Sequence, residues 1–273
     1  MNRFFLMIDF LPVISHRPIG VKLIRFGDNG MELFLVFLSR NFLPLHQIFK
    51  RISMKNKLFF SSITGKLIMA VSGAGFVLFL LFHGAMNFVS LLSSESYNAI
   101  CDFLGAHWYA VVGSLCLAGL MGIHVLCGLI LTAENLLARG FVRYKRRVRP
   151  QGVEWSSQNM LVLGALILLG LALHLFDFWY KMQFAEIMGG EPVNGMEQIR
   201  FIFSHNYFSV MYLLWLVVLW FHLSHGVWSM LQSVGWNSES WKRRWQVIGY
   251  VVSTFIVLLF VSVVIYYWLI YGK

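Results

Sequence analysis

Apolar residues in this chain come in long runs and not in alternation. Five runs, roughly 67–92, 108–133, 158–176, 206–233 and 246–271, reach the about 20 uncharged residues that a helix needs to cross the hydrocarbon of a bilayer. A spanning β-barrel would require polar and apolar residues to alternate along each strand, which these runs do not do. The pattern predicts an all-α membrane protein, a bundle of five transmembrane helices. Composition agrees: 58% of the 273 residues are hydrophobic and 12% are charged, more apolar surface than a soluble domain of this size can cover.

Charge orients the bundle. The stretch RGFVRYKRRVR at 139–149 holds six basic residues, and Lys242, Arg243 and Arg244 crowd a later turn, whereas the connection 93–107 has no Lys or Arg and carries Glu95 and Asp102. By the positive-inside rule the loops 139–155 and 236–244 lie in the cytoplasm with Lys66, and the C-terminus lies outside, as an odd number of spans requires. The net charge of +10 is then mainly a topology signal, and no nucleic-acid partner is expected. The same basic loops are suited to the headgroups of a lipid bilayer or to an acidic protein partner.

Residues 1–53 read differently from the rest. They mix polar and apolar positions without a clean period, and the run MELFLVFL within them is too short to span. Nor do they show the charged, apolar and small-residue order of a signal peptide. Met54 opens MKNKLFFSSITGKL, a suitable cytoplasmic start for the first span. Residues 1–53 are therefore an N-terminal extension, either upstream sequence that is not translated or a surface segment, and 54–273 form the five-helix domain. Cys101, Cys116 and Cys127 have no metal-ligand spacing and read as small apolar residues.

Histidine carries the candidate chemistry. Of nine histidines, His16 and His46 lie in the extension, and His107 and His205 lie at outer span ends. His83, His124, His174, His222 and His225 remain inside spans one to four. An imidazole is costly in hydrocarbon, and one in each of four successive spans points to a shared site. Depth sorts them. At about 1.5 Å per residue, His83 lies about 26 Å from Lys66 and His174 about 26 Å from Ser157, whereas His124 lies about 15 Å from Glu134 and His222 about 15 Å from Gln232. Spans one and three thus supply an outer pair, and spans two and four an inner pair. His225, at about 10 Å from Gln232, fits neither level and reads as a neighbour one turn nearer the cytoplasm.

Two neutral imidazoles from different helices at one level are what bis-histidine haem ligation requires. Zinc accepts the same ligand type, but two histidines leave its tetrahedral shell incomplete, and no Asp, Glu or Cys stands at the matching depth. Gly73, Gly75 and Gly84 in span one and Gly113, Gly119, Gly122 and Gly128 in span two would leave room for a porphyrin between helices, or equally permit close helix packing. There is no Gly-rich dinucleotide turn, no iron–sulfur cysteine series and no nucleophile beside a base, so redox chemistry on a soluble substrate is not expected of this chain alone.

Five spans with histidines on the first four, SGAGFVLFLLFHGAMN around His83 and FHLSHGVWSMLQSVGW around His222 resemble the single-chain dihaem cytochrome b anchor of succinate dehydrogenase and fumarate reductase. The resemblance extends over about 58–271. It implies two haem b groups, the distal one held by His83 and His174 and the proximal one by His124 and His222, the pairing that depth gives independently. It also implies an electron path between membrane quinone, usually menaquinone, and an iron–sulfur subunit. That subunit joins a flavoprotein carrying covalent FAD, and the whole forms a dimer of heterotrimers in the inner (cytoplasmic) membrane of a bacterium. Asp102 and His107, at the outer start of span two, are the candidates for exchanging protons with quinone. Some fumarate reductases of the family carry a glutamate two residues before the span-four histidine; here that position is Trp220, so the proton route is not carried over. Asp177 is expected to be a solvated carboxylate at a helix end, the alternatives being that it accepts a hydrogen bond from a nearby donor or helps with quinone protons, and Arg139, Arg143 and Lys145 are expected to face water, headgroups or haem propionates.

Two other readings compete. The cytochrome b subunit of a formate dehydrogenase or hydrogenase is also a redox anchor, commonly with four spans and different histidine positions. A haem-free transporter would use the histidines as a proton relay, but the chain shows neither obvious inverted repeats nor paired broken helices.

Overall fold

The computed structural model describes residues 62–139, 154–236 and 238–272. The extension 1–53, the Met54 start and most of the basic loop, including Arg143 and Lys145, lie outside the described residues, as does the side chain of Arg139. Every regular element among the described residues is helical: α1 (Ser62–Phe88), α2 (Ser94–Phe103), α3 (Trp108–Arg139), the single turn α4 (Trp155–Gln158), α5 (Met160–His174), a π-helix (Leu175–Phe184), the short α6 (Ala185–Ile187), α7 (Gly195–Phe203), α8 (Asn206–Ser233) and α9 (Glu239–Tyr271), with a 3₁₀ turn at Val89–Leu91.

Five stretches are long and apolar enough to cross a membrane: Ile63–Leu91, Trp108–Asn135, Met160–Ile187, Asn206–Ser233 and Ser240–Tyr271. The protein is a multi-pass membrane protein, with Leu, Val, Ile and Phe exposed along the outward faces of the spans, as a hydrocarbon solvent requires. Four spans begin and end near the limits read from the sequence. The third continues well past 176, because Leu175–Phe184 carries the helix on through Asp177 and Lys181. Those two charges look like a boundary in sequence, but both lie within a continuing helix.

Spans four and five form the core of the bundle. Tyr212, Leu216, Leu219, Leu223 and Val227 recur at three- and four-residue steps on α8, and α9 answers with Ile256, Val257, Val263, Val264 and Tyr267, all buried. Gly249 makes the close approach possible, since a Cβ there would stand 3.1 Å from the Ser224 carbonyl oxygen. Gly249→Val is expected to push α9 off α8 and to destabilise the bundle by about 1–3 kcal/mol, read as a lower midpoint for thermal unfolding in detergent. Span two is peripheral: 6% of its most apolar window is buried, against 33% for spans four and five.

A packed end of the bundle, remote from Lys66, closes over the core. Asn194 caps α7 by accepting from Met196 N and Glu197 N at 3.0 and 3.2 Å, and α7 inserts Met196, Ile199, Ile202 and Phe203 beside Tyr97 of α2. Tyr267 reaches up from α9 to donate to the Ser90 carbonyl at 2.8 Å. Burial, reinforced by neighbouring Cys101, pushes the Tyr97 phenol above its ordinary range, so the hydroxyl stays neutral.

Candidate functional site

Four histidines meet in two pairs. His83 of α1 and His174 at the end of α5 have ring centroids 5.9 Å apart with planes at 81°. His124 of α3 and His222 of α8 are 6.4 Å apart at 62°. Spans one and three thus build one pair and spans two and four the other, the grouping that depth gave. Metal–imidazole bonds of about 2.0–2.1 Å on either side of one iron would place two ring centroids about 6 Å apart. Both pairs have that spacing.

The ring nitrogens carry the next level of detail. Ser72, buried in α1, donates to the Met69 carbonyl at 3.1 Å and lies 2.9 Å from His124 Nδ1. A hydroxyl has one proton, so with that proton committed to Met69 it accepts from Nδ1–H, and the lone pair of the neutral ring sits on Nε2. This tautomer leaves Nε2 as the nitrogen free to bind a metal. His174 Nδ1 and His222 Nδ1 are buried with no hydrogen-bond partner among the described residues, and orphaned buried polar atoms are rare unless something else satisfies them. At His83, Asn87 Nδ2 donates to the backbone carbonyl at 2.8 Å and stands 3.5 Å from Nε2, the outer limit for a hydrogen bond.

Aromatic rings wall the outer pair: Phe79 stacks on His83, Phe260 lies against it, and Phe178, Tyr212 and Trp215 surround His174. The inner pair is more open. Phe76 meets His124 edge-on, while Gly73 and Gly164 face His124 and His222, where an added Cβ would come within 3.8 and 4.0 Å of the rings. Of the glycines expected to clear a space, Gly73 alone faces one of the four rings. Gly75 abuts Leu120, Gly128 abuts Met69, and Gly84 packs on Leu259 and Phe260 of span five, the close helix packing that was the other reading of these glycines. Gly113, Gly119 and Gly122 meet nothing within 4 Å.

His225 stands apart from both pairs. Its Nδ1 lies 3.2 Å from Glu154 Oε2, which also accepts from Trp228 Nε1 at 3.2 Å, while Oε1 accepts from Gln246 Nε2 and Tyr250 OH, each at 3.3 Å. One carboxylate at the start of span three thus gathers donors from spans four and five. Sequence reading did not find Glu154. The signal was an acidic residue beside a basic loop, level with an intramembrane histidine that needed a partner.

Asp177 corrects an expectation. It is 4% exposed and accepts from Tyr212 OH at 3.0 Å, so it is a buried member of the span three–four contact and not a solvated helix end. The π-helix that contains it begins directly after His174; such segments insert extra residues into a helix and recur at functional sites. Asp102 and His107 lie on the surface at the end of the bundle remote from Lys66, both exposed. His107 stacks on Tyr109 at 5.5 Å. The turn between them is fixed by span three, with Gln183 Nε2 donating to the Gly105 carbonyl at 2.9 Å and Glu186 Oε2 accepting from Ala106 N at 2.9 Å. Trp220, at the position of the family glutamate, donates to Thr254 Oγ1 at 2.9 Å.

No group of three or more His, Cys, Asp or Glu side chains able to hold a metal ion occurs among the described residues. Comparison of the chain with family models, with curated proteins and with solved structures finds no match.

Proposed function

We propose that this chain is the cytochrome b membrane anchor of a succinate:quinone oxidoreductase or quinol:fumarate reductase, with His83 and His174 holding one haem b and His124 and His222 a second. The observation that carries the reading is the pair of two-histidine sites, each bridging two helices at metal-bridging distance. Bound haem supplies one-electron redox chemistry. The protein supplies position, tautomer and a low-dielectric surround. Two sites at different depths let electrons cross the bilayer between membrane quinone, menaquinone in this reading, and an iron–sulfur subunit bound to a flavoprotein. Asp102 and His107 are retained as the candidates for proton exchange with quinone, being exposed at the outer end where protons are available.

The test is a dithionite-reduced minus oxidised spectrum with a pyridine haemochromogen count on the full chain expressed with its neighbours. Two b-type haems per chain are expected; none would overturn the reading, and co-purification with a molybdenum or nickel enzyme in place of a flavoprotein would move the chain to a formate dehydrogenase or hydrogenase. A finer result concerns Ser72. Ser72→Ala releases His124 Nδ1 and is expected to weaken retention of the inner haem about 10–100-fold, the usual cost of losing an outer-shell partner, while the outer haem stays. Haem release to apomyoglobin from each site, followed by absorbance, measures the difference.

A further inference from the structure

At the end of the bundle that bears Lys66 and the 236–245 turn, residues of span one and of the end of span four line a groove. Ala70, Val71 and Ala74 of α1 form one wall; Met230, Val234 and Trp236 form the other, and the space is about 170 Å³. The alanines are four residues apart and so lie on one face of α1, where their short side chains make the depression. Both walls belong to spans or their immediate ends, so a hydrocarbon chain is what the groove can accept.

The rim has a different chemistry. Trp236 stacks on Trp245 at 5.3 Å, Trp245 lies against Trp241 at 5.4 Å, and the Arg244 guanidinium sits 4.7 Å over the Trp241 ring. Indoles in such a cluster mark headgroup depth. Lys66 is exposed one turn before Ala70 on the same face of α1, and Lys242, Arg243 and Arg244 are exposed beside the tryptophans. An apolar trough that opens onto tryptophan and cationic side chains matches a ligand with an acyl chain and an anionic head. A neutral isoprenoid would leave the cations without a role.

We propose that this groove is a binding site for an anionic phospholipid, one acyl chain lying against Ala70 and Ala74 and the headgroup held by Lys66 and Arg244. The site is independent of the histidine pairs. Native mass spectrometry of the full chain in neutral detergent, titrated with phosphatidylglycerol or phosphatidylcholine, tests it. One retained phosphatidylglycerol is expected, favoured about tenfold or more over phosphatidylcholine, since each basic residue near a headgroup contributes appreciably. Lys66→Gln combined with Arg244→Gln changes exposed side chains only and should erase the preference; Ala74→Phe should remove the adduct of either lipid. Equal retention of the two lipids by the unaltered chain, or an unchanged preference in the double variant, would overturn the proposal. So would an adduct with the mass of an isoprenoid quinone that Ala74→Phe displaces. Should Ala74→Phe fail to fold, as judged by lost helical circular dichroism, the double variant alone decides.

Discussion

On the proposed dihaem reading, His222→Ala is expected to leave one haem and His225→Ala two. The two residues are one helical turn apart, and only their neighbours separate them. His222 faces His124 across 6.4 Å, whereas His225 is turned to Glu154 at 3.2 Å. A haem left with one holding imidazole in place of two would be lost or would turn high-spin, so the pyridine haemochromogen count and the reduced-minus-oxidised spectrum would both respond. The same result is expected for His124→Ala, and its counterpart, loss of the other haem, for His83→Ala and His174→Ala. Retention of two haems with unchanged spectra in His222→Ala would refute the ligand assignment. Loss of a haem in His225→Ala would move the ligand one turn along α8.

Glu154→Ala is expected to destabilise the bundle by about 3 kcal/mol. Four donors, from His225, Trp228, Gln246 and Tyr250, converge on its two oxygens at 3.2 to 3.3 Å, and its side chain is 20% exposed. Truncation strands donors in a partly buried site, each costing about 1–3 kcal/mol where water cannot reach it. Glu154→Gln is a sharper probe, because it keeps the shape but replaces one acceptor oxygen with an NH₂ donor that faces other donors. Its midpoint for thermal unfolding in detergent should therefore fall as well, to a value between those of the unaltered chain and Glu154→Ala. A Glu154→Gln midpoint equal to that of the unaltered chain would show that the cluster contributes nothing to stability.

The spans were legible in the sequence because a hydrocarbon solvent writes its demand directly into runs of apolar residues. Grouping the histidines by depth was possible for a related reason: along a straight helix, residue count measures height, and rings at equal heights on neighbouring spans can meet. What lay across the helix axis was not legible. Count gives height but not azimuth, so Gly84 could be read equally as room for a porphyrin or as close helix packing, and it is the packing against Leu259 and Phe260 of span five that the structure shows. Asp177 was read as solvated because a charge at the edge of an apolar run normally ends it; the Tyr212 hydroxyl that receives it belongs to another span. Ser72 went unnoticed since a serine in a membrane helix commonly bonds its own backbone, and this one does so while also orienting His124.

The π-helix after His174 has a consequence for how the chain tolerates insertions and deletions. A turn closed at five-residue spacing holds more residues than an α-turn, so the stretch Leu175–Phe184 stores slack that the rest of span three lacks. Removing one residue within it would let the segment tighten toward ordinary α geometry, leaving His174 and everything before it in place. Because the tightening takes up the missing residue, the part of the span beyond the deletion would keep close to its azimuth, and Gln183 its contact with the 104–105 turn. The slack in this one segment thus lets the histidine-bearing part of the span and the end that carries the 104–105 turn stay in phase when the length between them changes by a residue.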